Sequence, residues 1–149
     1  MNQLDSDVVV QIGIIVKDIR KSARQYAEVF GIPEPEVSPI AADEFAHTHF
    51  HGQASTAQGL GAYFKMGQVE MELIQPVGTP STWEEFLRTH GEGIHHIAFV
   101  TQDMQAAKEF LASKGMETVQ EGAWDGGQYA YIDGTGQLGM ILELLHFDK

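Results

Sequence analysis

Four polar residues interrupt apolar runs that otherwise read as buried strands: Gln11 in "QIGII", Glu72 in "MELI", His96 in "HIAFV" and Glu143 in "ILELL". Side chains alternate faces along a strand, so Gln11 shares a face with Gly13 and Ile15, Glu72 with Ile74, His96 with Ala98 and Val100, and Glu143 with Leu145. Each polar group therefore points to a side lined by small or apolar neighbours. An ionised carboxylate there is costly unless it is paired or bound to a cation, and the chain offers few basic residues nearby to pair it. Two carboxylates, one imidazole and one amide oxygen make an oxygen-rich set suited to Zn, Ni, Co, Mn or Fe in an open octahedral site completed by water. Gln11 is the weakest of the four, because a neutral amide can equally hydrogen-bond in a pocket without metal.

The elements that must position these residues occur twice. Gln11-Ile12-Gly13-Ile14-Ile15 matches His96-Ile97-Ala98-Phe99-Val100 at an offset of 85 residues, and Asp18-Ile19 matches Asp103-Met104. Each copy is a short β-prone run entering a helix whose N-cap is that aspartate; Gly31 and Gly115 end the helices. The ends of the copies also correspond. "AYFKMGQVEMELIQ" (62–75) and "AYIDGTGQLGMILELLH" (130–146) align Tyr63 with Tyr131 and Glu72 with Glu143, and each reads as a hairpin turning at Gly67 and at Gly134 or Gly136. Glu70 shares a face with Glu72, so it is the alignment that selects Glu72 and leaves Glu70 as an outer partner or a substitute. Between the copies, Ser81 and Glu84 form a capping box for a short connecting helix over 81–90. The expectation is an α+β fold in one domain, 1–149, of two tandem β-α-β-β-β units (halves 8–75 and 93–146) whose sheets join into one curved, cup-like surface.

Composition narrows the partners. Twenty-one acidic against nine basic residues give a net charge of −12, which argues against nucleic acid. The one basic cluster, Lys17, Arg20, Lys21 and Arg24, reads as the solvated face of the first helix. No cysteine is present, so thiolate ligands and thiol nucleophiles are excluded. No apolar stretch approaches the roughly 20 residues of a membrane span, and "MNQLDSD" lacks the features of a secretion signal, so a cytoplasmic location is expected. A rival metal motif, "HTHFH" with His47, His49 and His51, reads first as a polar loop within the segment 33–60. His95 is expected to point away from His96 as a structural residue, Tyr63 and Tyr131 to serve packing, and Trp124 to belong to a Gly-rich loop near the site.

The paired repeat, the "HHIAFV" strand opening, "MELIQP" and "ILELL" resemble the vicinal oxygen chelate superfamily, which includes glyoxalase I, methylmalonyl-CoA epimerase, extradiol dioxygenases and bleomycin-resistance proteins. The resemblance covers about 8–147 and implies metal ligands from the first and last strands of each half, at Gln11, Glu72, His96 and Glu143. Gln, Glu, His and Glu in those places resemble the set of zinc-type glyoxalase I, whereas "STWEEFLRTHGEGIHHIAF" resembles methylmalonyl-CoA epimerases. Either implies a divalent metal (Zn, Ni, Co or Mn) and a small carbonyl or thioester substrate. Glu143, with Glu72 as its pseudo-symmetric partner, would remove a proton alpha to the carbonyl to give a metal-stabilised enediolate. The other class the resemblance allows is a non-catalytic protein that sequesters a small molecule, as bleomycin-resistance proteins do. A homodimer is the implied assembly.

Overall fold

The computed structural model describes residues 1–149. Its elements run β1 (Gln11–Ile15), α1 (Ile19–Phe30), β2 (Ser38–Ile40), β3 (His49–Phe50), β4 (Gln53–Ala54), β5 (Gln58–Met66), β6 (Val69–Val77), α2 (Thr82–His90), β7 (Gly93–Val100), α3 (Met104–Ser113), β8 (Thr118–Trp124), β9 (Gly127–Gly134) and β10 (Met140–Phe147). The helices start where the sequence places their caps. Asp18 accepts from the amide of Lys21, Ser81 from that of Glu84 and Asp103 from that of Ala106, each satisfying a first-turn N–H that has no partner inside the helix. Gly31 closes α1 in the left-handed conformation, at φ 68°.

All strands join one mixed sheet in the order β2-β5-β6-β1-β7-β10-β9-β8-β3-β4, curled into a half-barrel with three helices. The opening strands of the two copies, β1 and β7, lie antiparallel side by side at its centre, and each pairs in parallel with the closing strand of its own copy, β6 or β10. Two of the helices cover the outer face. Ile19 and Ala23 of α1 pack on Val16, Ala62 and Leu73, while Met104, Ala107 and Leu111 of α3 pack on Ala130, Ile132, Leu142 and Leu144. Each fully buried aliphatic side chain stabilises the fold by about 1.5–3 kcal/mol. The third helix serves the inner face, where Trp83 of α2 covers Ile15, Ile74 and Tyr131.

The hairpins turn where expected, β5–β6 at Gly67 (φ 66°) and β9–β10 through Gly136, with Gly134 the last residue of β9 and the positive φ of that turn at Gly139 (74°). One expectation changes. The segment 33–60 is more than a loop: β2 extends the first half by pairing with β5, and the chain then crosses to the other half, where β3 pairs with β8. The amide of Ala123 donates to the carbonyl of Ala46 along the same seam. No helix is long and apolar enough to cross a membrane.

Candidate metal centre

Four adjacent strands, β6, β1, β7 and β10, carry the four selected side chains to one point. From His96 Nε2, Gln11 Oε1 lies at 3.4 Å, Glu72 Oε1 at 3.3 Å and Glu143 Oε1 at 3.3 Å. The ligand atoms of Glu72, His96 and Glu143 all lie within 4.8 Å of one another, and they are the single group of three or more acidic or imidazole side chains so arranged. His47, His49 and His51 do not converge. His49 donates from Nδ1 to the carbonyl of His47, and His47 and His51 both have positive φ.

Small residues make the convergence possible. Gly13 stands across from His96, and a Cβ built on it would fall 1.9 Å from His96 Cε1, so the imidazole lies flat against bare backbone. The equivalent residue of the second copy, Ala98, stands across from Gln11 instead. A thick aromatic ring therefore faces glycine where a slender amide faces alanine. Glu70 also finds its place: its Oε1 accepts from Gln11 Nε2 at 2.9 Å. A carboxylate can only accept, which turns the amide nitrogen outward and the amide oxygen toward His96.

Three acceptor oxygens around one nitrogen are more than one N–H can serve. Glu72 Oε1 and Glu143 Oε1 are buried without a hydrogen-bond partner, an arrangement that costs free energy unless a cation completes it. The donor set of two carboxylates, an imidazole and an amide oxygen fits a divalent ion of the Zn, Ni, Co or Mn type. Burial pushes the Glu143 carboxyl up, to about 8, with Glu72 adding to the effect and His96 opposing it. Burial alone would push the His96 imidazole down, but the adjacent Glu143 and Glu72 outweigh it and its pKa is raised. Without a cation the cluster therefore retains protons that a metal would displace.

Above this point opens a cavity of about 820 Å³, lined in part by Gln11, Glu72 and Glu143. Aromatic side chains, Tyr63, Trp83, Trp124, Tyr129, Tyr131 and Phe147, contribute to its walls. Tyr131 lies across from Glu143 and Tyr63 across from Glu72, one tyrosine per carboxylate at matching places in the two copies. Tyr131 is buried, and its Oη accepts from Trp83 Nε1 at 3.0 Å; Tyr63 is 40% exposed at the rim. Sequence reasoning assigned both to packing, although their alignment with the two glutamates already marked them as neighbours of the site. Trp124 ends β8 and packs on Phe147 as part of the cavity wall, where a loop was expected. Among the lining residues Lys65 is the one cation.

Residues 10–131 match the Glyoxalase/Bleomycin resistance protein/Dioxygenase superfamily. The chain belongs to that superfamily. The superfamily protein described here is 28% identical over 149 residues to the Bacillus subtilis (strain 168) protein named "Uncharacterized protein YqjC", covering 97% of this chain and 91% of that one. It is 25% identical over 113 residues to the mitochondrial methylmalonyl-CoA epimerase of Mus musculus, covering 75% of this chain but 56% of the mouse protein. Among solved structures, methylmalonyl-CoA epimerase from Mycobacterium tuberculosis superposes with a TM-score of 0.64 at 18% identity, over 99% of this chain and 94% of that one. A methylmalonyl-CoA epimerase in complex with methylmalonyl-CoA and NH4+ gives 0.61 at 22% identity, over 93% of each chain. At these identities the structures establish the shared fold.

Proposed function

We propose that this superfamily member is a divalent-metal-dependent isomerase of the methylmalonyl-CoA epimerase type, moving a proton alpha to a thioester or related carbonyl. The observation that carries the reading is the approach of three oxygens to His96 Nε2 beneath an apolar cavity. Gln11, Glu72, His96 and Glu143 would hold the ion, which when bound supplies Lewis-acid polarisation of the substrate carbonyl. The chain supplies the base. Glu143 and Glu72 flank the centre from opposite halves of the fold, so a C–H presented between them meets a carboxylate on either side. Glu143 takes the proton, and burial favours the neutral acid it becomes. Delivery of a proton by Glu72, from the other side, inverts the carbon, and exchange with solvent then returns the two carboxyls to their starting protonation. Return of the first proton to a neighbouring carbon would be glyoxalase chemistry. The apolar lining would limit water around the carbanion once substrate fills the cavity, and Lys65 offers one charge to an anionic part of the substrate. The epimerase names among the relatives favour the first outcome.

The test is deuterium incorporation from D2O, comparing methylmalonyl-CoA with methylglyoxal plus a thiol, on protein stripped by chelator and then reloaded with Co2+ or Zn2+. Exchange into the thioester that disappears on stripping and returns on reloading is expected. Exchange undiminished in stripped protein, or none with either substrate, would refute the proposal; tight ligand retention without exchange would identify a sequestering protein.

A further inference from the structure

Two consecutive strand residues should point to opposite faces, yet the imidazoles of His95 and His96 meet: Nδ1 of one lies 2.9 Å from Nδ1 of the other, and both rings are buried. The pairing of β1 with β7 explains how. Gly13 pairs with His96 and Ile14 with Ile94, so the register slips and His95 is the extra residue of a β-bulge. A bulge bends the strand and re-aims a side chain. Here it turns His95 onto the back of its neighbour, where Phe86 and Tyr131 hold its ring edge-on at centroid distances of 5.3 and 5.1 Å.

We infer that His95 is a positioning residue for the metal centre: its Nδ1 accepts a hydrogen bond from Nδ1–H of His96 and thereby reserves Nε2, aimed at Gln11, Glu72 and Glu143, as the nitrogen that gives up its proton to a metal. The inference rests on the metal reading above. A neutral imidazole carries one N–H and one lone pair. Only one proton fits between the two Nδ1 atoms, so the direction of that bond fixes what His96 presents at Nε2. If His96 donates, Nε2 is a lone pair able to ligate. If it accepts, Nε2 carries the proton and cannot. The outer nitrogen of a ligating histidine is usually held by a carboxylate, a backbone carbonyl or water. At this site a second imidazole holds it. Ligation then requires His95 to carry its own proton on Nε2, which is buried without a hydrogen-bond partner.

The experiment measures Zn2+ and Co2+ affinity by competition with a chromophoric chelator for the wild type, His95→Phe and His95→Asn, and reads the His96 tautomer in zinc-loaded wild type by long-range 15N–1H correlation. His95→Phe keeps a ring and removes the acceptor, so affinity should fall about 10–100-fold, the range typical for losing such a partner. Asparagine restores an oxygen near the Nδ1 position and should recover most of the loss. His96 should carry its proton on Nδ1. Affinity in a folded His95→Phe equal to wild type, no recovery with asparagine, or a zinc-loaded His96 protonated at Nε2 would each overturn the inference. The tautomer measurement needs no variant, so a misfolded His95→Phe does not remove the test. Wild type that binds neither metal would instead overturn the proposed function.

Discussion

Gly13→Ala adds one methyl group to a strand that ought to tolerate it, and should abolish the metal centre. The new Cβ would stand 1.9 Å from His96 Cε1, 2.3 Å from Nε2 and 2.5 Å from Nδ1, where ordinary contact begins near 3.4 Å. The ring would have to recede by roughly 1.5 Å. It has no free path, since His96 has no exposed surface and the rings of Tyr131 and His95 stand at centroid distances of 4.9 and 5.1 Å. Overpacking of this kind costs about 1–3 kcal/mol, against about 0.4–1 kcal/mol that alanine gains over glycine by restricting the unfolded chain. The net loss in stability is modest; the loss in function is not. A shift of that size breaks the 3.3–3.4 Å approach of all three oxygens to Nε2 together. Metal affinity should fall by at least about 100-fold, the upper end of what losing an outer partner alone costs. The control is Ala98→Gly at the matching position, which faces Gln11 and should leave affinity within roughly threefold. The assay is chelator competition with Co2+ or Zn2+, accompanied by thermal melts. Gly13→Ala that binds within threefold of wild type would show that His96 is not the ligand, or that its position is not set by Gly13.

Two further outcomes are expected. Glu143→Gln should fold at least as well as wild type without metal, because it removes a buried carboxylate, yet lose at least about 100-fold of any proton-exchange rate as measured by deuterium incorporation; full activity would exclude Glu143 as the base. The pH dependence should be opposite for metal-free and metal-loaded protein. With the Glu143 carboxyl pushed up from 4.5 to about 8, the folded state binds more protons than the unfolded chain between those values, so metal-free stability should fall as pH rises through that window. Metal needs the same groups deprotonated, so its stabilising effect should grow from pH 5 to pH 8, reaching roughly 5–10 °C at one hundred times Kd. Melting curves with and without Zn2+ at several pH values would show it, and a metal-induced shift independent of pH would contradict the assignment.

Much of this was legible in the chain because local signals agreed with the fold. The aspartate and serine caps, the basic face of α1 and the alternation along β1, β6, β7 and β10 each act within a few residues, and the internal repeat set one half beside the other. The four selected residues meet because pseudo-equivalent strands occupy adjacent places in one sheet. What escaped was set by pairings distant in sequence. Strict alternation sends His95 away from His96, and only the slipped register opposite Gly13 and Ile14 brings it back. For Glu70 the copies left two readings, outer partner or substitute, and the parallel register that sets it beside Gln11 decides for the first. The crossing of 33–60 to the far half has no local signature, because two-residue strands carry too few side chains to show a period.

That crossing makes the duplication something other than two beads on a string. The outermost strands at one end of the sheet, β3 and β4, are donated by the amino-terminal copy to border the carboxy-terminal one, with β3 hydrogen-bonded to β8. An amino-terminal fragment would leave that ribbon without a sheet to join, and a carboxy-terminal fragment would leave β8 as a bare edge open to association with other chains. Melting should accordingly proceed as one cooperative event, since neither half of the chain keeps a complete border of its own.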